Sequence, residues 1–350
     1  MESQTGHFSR PTAAWLVSNL VSNEIDEVLT TELASSRLRA GISLSRMKDA
    51  GVELLPLNLQ KAGQVPGVLF VGKYVPDSGA NRFYQDGGTR GPAWISDIQR
   101  VKAAGARIVV DYTDHHLVSQ DARGPFYRTI FPLVDIAVVP SQKMASNLTQ
   151  VWPGPSVIIP EPIEVPITTP SAKSVGPSRK AVALWFGHNS NLPYLYEFIA
   201  RASGKLPPMD YVILTNGIDP ADLKRAASAG HPKSRFHVAK WSVQATIEAA
   251  RQCDLALIPS DASDPRKNGV SNGRLLTALA LGLPVAAEPL ESYLPFRDYF
   301  VDIRSPALTD LIANPSAFHP QVLKAQAEVL PAYTADAVGK MWLKLLEPQV

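Results

Sequence analysis

The 350-residue sequence predicts an α/β protein of two Rossmann-like, doubly wound domains facing across a cleft. Three observations carry this. Short, near-continuous apolar runs alternate with helical segments along most of the chain, as in parallel strands covered on both faces. The alternation breaks over residues 160–180 (PEPIEVPITTPSAKSVGPSRK), where prolines stand among Ser, Thr and Lys as in a linker. Beyond that break the alternation starts afresh, and the length suits two domains better than one core.

In the first half the strand candidates are residues 13–17, 52–56, 68–71, 107–111, 136–139 and 156–159. Helices are expected over 36–50, 94–104 and 142–150, among others. The second half offers strands at 181–186, 211–214, 235–238, 255–258 and 284–287, with helices including 192–202 and 243–253. A last helix near 335–346 follows the final strand with nothing left to pair, so it is expected to pack back toward the first domain. The expected division is therefore a first domain 1–162, a linker 163–180, a second domain 181–334 and a C-terminal helix 335–350. No repeat of solenoid period is visible.

Composition bounds the partners. Apolar residues make up 45% and charged residues 19%, ordinary for a soluble globular chain. Lys and Arg number 34 against 32 Asp and Glu, a formal +2, so no bulk field argues for nucleic acid or an anionic membrane. The single cysteine, Cys253, reads as a small buried hydrophobe, and the missing disulfide framework suits a reducing cytoplasm. The opening MESQTGHFSRPTAAWLV lacks the pattern of a signal peptide, and no apolar run nears the ~20 residues of a membrane span. The expected location is cytoplasmic, with peripheral contact at the inner membrane face left open.

Ligands of doubly wound sheets bind beyond the carboxyl ends of the strands, which ranks the loops. CDLALIPSDASDPRKNGVSNGRLL reads as a strand, a long polar loop and a helix starting near Ser271 or Asn272. The free amides of that start, with Gly273 and the cations Lys267 and Arg274, make an anion site whose natural occupant is a diphosphate. In LWFGHNSNLPYL, Gly187 allows close backbone approach, while His188, Asn189 and Asn191 offer hydrogen bonds to a hydroxylated ligand. Asn216 closes the next strand run, YVILTNG. In VAKWSVQATIE, Trp241 could flank a nucleobase and Ser242 could cap a helix.

The first domain contributes IVVDYTDHHLVSQ, with Asp111, Asp114, His115 and His116 at a strand end. Asp114 and His115 are candidates for acid/base or sugar-contacting work. The Asp-His-His string also occurs in phosphoesterases with paired metals. Their early Asp-x-Asp-Gly loop is absent, adjacent histidines in extended chain face opposite ways, and no metal is expected. SSRLRAGISLSRM puts Ser35, Ser36, Arg37 and Arg39 at a helix start, either a second anion site or a solvated basic face. ARGPFYRTIFPLVD mixes Arg123 and Arg128 with Phe126, Tyr127 and Phe131, either an acceptor-touching surface or a core-facing helix. There is no Gly-x-Gly-x-x-Gly, Walker loop, zinc spacing or Gly-x-Ser-x-Gly.

Through ALWFGHNSN, YVILTNG, CDLALIPS and GRLLTALALGLPVAA, in that order, the second half resembles the donor domain of a GT-B glycosyltransferase. The first half resembles the acceptor domain through SSRLRAGISLSRMKDAGVELLPL, VVDYTDHHL, VDIAVVPSQKMASNL and VIIPEPIEV. The resemblance covers about residues 12–305 and is strongest over 181–290. It implies sugar transfer from a nucleotide-sugar donor, typically without an essential metal or other cofactor, to a glycan, lipid-linked or protein acceptor. On that resemblance Lys267, Arg274 and the amides around Ser271–Gly273 hold the diphosphate. Trp241 and Ser242 border the base, while Gly187, His188 and Asn189 line the sugar side.

One departure stands out. Retaining members of glycosyltransferase family 4 carry two glutamates eight positions apart, which fall here on Gly269 and Thr277. Retention therefore does not follow; if the reaction inverts, Asp114 or His115 is the candidate base. Bacterial surface-polysaccharide enzymes resemble this loop more nearly, through Lys267, Ser271, Asn272 and Arg274. The missing glutamates keep two alternatives open, a non-catalytic scaffold of the same fold and a nucleotide-sugar epimerase.

Overall fold

The computed structural model describes residues 11–18, 20, 24–31, 33–59, 64–76, 90–171 and 179–347. The chain divides into two compact units, Met1–Ile159 with Ala335–Val350, and Pro160–Thr334. Residues 172–178 of the expected linker lie outside the described residues.

In the first unit six parallel strands run in the order β2-β1-β3-β4-β5-β6. They are β1 (Thr12–Leu16), β2 (Glu53–Leu54), β3 (Val68–Val71), β4 (Arg107–Asp111), β5 (Ile136–Val139) and β6 (Ser156–Ile158). Helices α1 (Ile25–Thr30), α2 (Ile42–Asp49), α3 (Arg90–Ala103), α4 (Arg123–Ile130) and α5 (Gln142–Thr149) connect them. The strands read as unbroken apolar runs because both faces are covered. Leu69, Val71 and Val110 meet Trp94, Ile98, Phe126 and Met144 on one side. Trp15, Phe70 and Val109 meet Leu44, Met47 and the C-terminal helix Ala335–Lys344 on the other. Trp342 of that helix stands edge-on to Trp15, with ring centroids 5.4 Å apart.

Two readings left open by the sequence are decided here. Arg39 forms neither an anion site nor a solvated face. It lies in a π-helical turn, Ser36–Gly41, with 0% exposure, and its Nε donates to Asp111 Oδ1 at 2.6 Å. Its Nη1 donates to the Ile159 carbonyl, and the guanidinium rests 5.3 Å from the Trp342 ring centroid. A cation so deep persists only because a carboxylate and a carbonyl replace its water. Phe126, Tyr127 and Phe131 are buried in the core, which decides for the core-facing reading of their helix.

The second unit repeats the plan with a sheet ordered β12-β11-β10-β7-β8-β9, again parallel. Its strands are β7 (Ala181–Phe186), β8 (Met209–Thr215), β9 (Phe236–Lys240), β10 (Leu255–Ile258), β11 (Val285–Ala287) and β12 (Val301–Asp302). The helices are α6 (Leu192–Ala202), α7 (Pro220–Ala229), α8 (Val243–Ala250), α9 (Pro265–Asn268), α10 (Gly273–Ala280), α11 (Ala307–Ala313) and α12 (His319–Glu328). α6 and α11 cover one face; α8, α10 and α12 cover the other. β12 was not among the sequence candidates, because a two-residue edge strand carries no periodicity to read. Residues 160–171 run along this unit: Thr168 N donates to Ala280 O at 2.7 Å, and Val165 joins the core.

α10 is apolar because Leu275, Leu276, Ala278, Leu279 and Ala280 are all buried. It stops at Gly282, whose φ of +78° is left-handed. A Cβ there would come within 2.6 Å of the Thr168 carbonyl oxygen. Gly282→Ala should therefore lower the stability of the second unit by about 3 kcal/mol, combining left-handed strain with a backbone clash. Urea unfolding followed by Trp fluorescence measures it, and a loss below about 1 kcal/mol would contradict the close approach.

Candidate functional site

The second sheet reverses its strand order between β7 and β10. From β7 the chain proceeds outward to β8 and β9, then returns to β10 and β11 on the opposite side. The covering helices change face accordingly, and the carboxyl ends of β7 and β10 mark the crevice position at which doubly wound sheets bind ligands. The loops on either side of that crevice are the two that the sequence ranked highest.

They meet through specific atoms. Gly187 N donates to Leu214 O, and a Cβ on Gly187 would stand 3.4 Å from Arg274 Nη1, so the guanidinium lies over a bare stretch of backbone. Lys267 Nζ donates to Asn191 Oδ1 at 2.9 Å and sits 5.5 Å from the Tyr194 ring centroid. Asn189 N donates to Asn216 Oδ1 at 2.9 Å, tying the loops after β7 and β8 together. His188 is turned onto its own loop, with Nδ1 against the Ser190 hydroxyl at 2.9 Å. Lys267, Arg274, Gly187, His188, Asn189, Asn191 and Asn216 thus form one cluster around adjoining strand ends.

Trp241 and Ser242 stand farther along the row, at the end of β9. Trp241 N donates to Thr215 O, and its side chain is half-buried against the core. Ser242 Oγ accepts Ala245 N–H at 3.0 Å, the N-cap that its position suggested. Beside Asn189 and Gly217 a groove of about 940 Å³ runs between α6 and α7, past Tyr196, Asp219 and Arg225.

The helix start differs from the expectation in two respects. The loop after β10 is not wholly irregular, because Lys267 belongs to the single turn α9. Asn272 holds the N-cap position of α10 but its side chain makes no capping bond. The hydroxyl of Ser271 accepts Gly273 N–H at 3.0 Å instead and donates to Glu161 Oε2 at 2.6 Å. Arg274 Nη1 and the hydroxyl of fully buried Tyr293 make no hydrogen bond of normal geometry among the described residues. They lie close enough that the guanidinium opposes the upward push that burial gives the Tyr293 phenol. Glu161 and Tyr293 were missed by sequence reasoning. Glu161 sits in a string that reads as linker, and Tyr293 in a stretch that carries no motif.

In the first unit Asp114 is ion-paired with Lys73 Nζ at 2.5 Å, which joins the ends of β4 and β3. Lys73 is a further residue that no motif announced. His115 is buried, with Nδ1 3.1 Å from the Tyr112 hydroxyl, and burial lowers its pKa. His116 stacks on Tyr127 at 5.5 Å between centroids, and the Asp111 carboxylate is engaged by Arg39. Within the Asp-His-His string, Asp114 and His116 stay neighbours, with Oδ2 3.8 Å from Nε2, while His115 turns to Tyr112. Among the described residues no three His, Cys, Asp or Glu side chains are grouped to hold a metal ion.

Burial drives the His116 pKa down to about 4, only partly opposed by Asp114. The folded state then resists a proton that the unfolded chain accepts near pH 6.5. Between those values the unfolded state binds more protons, so stability is full above pH 6.5 and falls as pH drops toward 4. Melting temperatures from pH 7.5 to 4.5 should fall in wild type and fall less in His116→Phe, which keeps the stack. Parallel curves would refute the assignment.

No protein-family model matches the chain, and no curated protein matches it by sequence. Solved structures do. Sucrose-phosphate synthase from Thermosynechococcus elongatus superposes with a TM-score of 0.63 at 13% identity, over 96% of this chain and 98% of that one. HepE from Anabaena, solved with UDP and glucose, gives 0.60 at 12% identity over 96% and 99%. TarM from S. aureus, solved with UDP and alpha-GlcNAc-glycerol, gives 0.56 at 11% identity over 80% of this chain; the chain spans 55% of TarM's length. The fold is GT-B, two six-stranded Rossmann-like sheets in one chain. No helix among the described residues is long and apolar enough to cross a membrane.

Proposed function

We propose that this chain is a glycosyltransferase that moves a sugar from a nucleotide-sugar donor to a glycan, lipid-linked or protein acceptor without a metal ion. The observation that carries the reading is the Arg274 guanidinium, laid over Gly187 at the switch point of the second sheet, with no carboxylate of the described residues paired to it. A guanidinium held there, with the Lys267 ammonium and the first amides of α10, suits a diphosphate.

The same charges stabilise the departing nucleoside diphosphate as its bond to the anomeric carbon breaks and the acceptor oxygen bonds that carbon. Two cations and a helix start can serve that oxyanion in place of a divalent metal. Gly187, His188 and Asn189 border the sugar, and Trp241 and Ser242 the base. Asp114 and His115 are the acceptor-side candidates for taking the hydroxyl proton. Asp114, held by Lys73, suits orienting a hydroxyl; His115, kept neutral by burial, suits accepting its proton. The complexes of HepE and TarM with UDP support a nucleotide-linked donor. An α-glucosyltransferase of this fold was solved with UDP and a DNA 13-mer, yet the formal +2 of this chain lacks a nucleic-acid field, so a non-nucleic acceptor is proposed. The proposed location is cytoplasmic.

A thermal-shift series with UDP, GDP, ADP, CDP, dTDP and CMP tests the reading and identifies the base. At least one diphosphate should stabilise the protein, and its sugar ester should be hydrolysed or transferred. Silence across the series would leave the scaffold alternative. Isomerisation of the sugar ester to another nucleotide sugar, without acceptor or hydrolysis, would reveal an epimerase.

A further inference from the structure

The start of α10 already holds a carboxylate supplied by this chain. Glu161 lies 110 residues before Ser271, yet its Oε2 accepts the Ser271 hydroxyl at 2.6 Å, and that hydroxyl's oxygen in turn accepts Gly273 N–H. A Cβ built on Gly273 would stand 2.8 Å from Glu161 Oε2, so the carboxylate covers the first residue of the helix. It sits where the positive helix end draws an anion. Glu161 nevertheless leaves donors unused around it. Beyond their approach to one another, the Tyr293 hydroxyl, on a side chain with 0% exposure, and Arg274 Nη1 make no hydrogen bond of normal geometry among the described residues. The Arg274 guanidinium reaches the Tyr293 hydroxyl, and the Glu161 carboxylate is near enough to act on it electrostatically.

From this geometry we propose that Glu161 is an internal anion that an incoming diphosphate must displace from the start of α10, and that it sets which phosphorylated ligand the site prefers. A free nucleoside diphosphate carries more charge on its terminal phosphate than its sugar ester does. Glu161 therefore repels the free diphosphate more than the ester, favouring capture of the donor and release of the spent nucleotide. The identity of these ligands rests on the glycosyl-transfer reading, whereas displacement of Glu161 by an anion does not.

The test is calorimetric titration of the full chain and its Glu161→Gln variant with inorganic pyrophosphate, UDP and UDP-glucose at low salt. Glu161→Gln should bind pyrophosphate and UDP roughly tenfold more tightly, and UDP-glucose by a clearly smaller factor. Glu161→Ala should move in the same direction, with both variants keeping the wild-type circular dichroism spectrum. Pyrophosphate binding that is unchanged, weaker or absent in the variants would overturn the proposal, even if wild type binds UDP. An equal gain for UDP and UDP-glucose would overturn the preference. A pyrophosphate gain with no nucleotide bound across the wider series would uphold the displaced carboxylate and remove the glycosyl-transfer reading.

Discussion

Alanine at Arg274 should weaken binding of the preferred nucleoside diphosphate about 100-fold. A guanidinium paired with phosphate in a shielded crevice contributes about 3 kcal/mol, and 1.4 kcal/mol is tenfold in affinity. Lys267→Ala should cost less, because that ammonium is held by Asn191 and beside Tyr194 and delivers a point charge where Arg274 delivers a fork. The double variant should bind too weakly to measure by calorimetry. Arg274→Lys should recover only part of the loss, since it restores charge without bidentate geometry. Affinity of Arg274→Ala within threefold of wild type would remove the phosphate assignment. A modest fall in melting temperature should accompany the loss, because Arg274 also reaches the buried Tyr293 hydroxyl.

The second large effect concerns stability. Arg39→Met should destabilise the first unit by about 3–5 kcal/mol, because it leaves the Asp111 carboxylate, itself 2% exposed, without its buried cation. Asp111→Leu in addition should restore much of the loss, since an apolar pair of similar volume avoids the desolvation cost. The Ile159 carbonyl, deprived of Arg39 Nη1, prevents full recovery. Denaturant unfolding of the single and double variants measures the coupling. A single-variant loss below about 1 kcal/mol would show that the pair is not truly buried.

Much of the scaffold could be read from local pattern. Val68–Val71 and Leu255–Ile258 are strands buried at every position, and an unbroken apolar run is what burial on both faces requires. Gly282, the stop of α10, is a left-handed residue between an apolar helix and a Pro-Val strand, a position that favours glycine on local grounds. The same local reading failed for Arg39. A basic residue at a helix start looks solvated unless its partner is known, and Asp111 lies 72 positions away. Phe126 and Tyr127 went the other way: their aromatic surface was ambiguous in sequence, and the core claimed it.

The candidate site divides along the same line. Gly187, Lys267 and Arg274 could be named from their loops, because the carboxyl ends of parallel strands are where doubly wound sheets expose backbone amides. That Arg274 lies over Gly187 while Lys267 reaches Asn191 depends on β10 returning beside β7, which no local window contains. Glu161 beside Ser271 and Lys73 beside Asp114 belong to the same class. Local pattern suffices for the α/β alternation, the break near residue 160 and the loops able to carry chemistry, because burial and backbone conformation constrain residue type over a few positions. Which charges meet is settled in the folded chain alone, because an ion pair depends on distance in space and leaves no periodic trace in the chain.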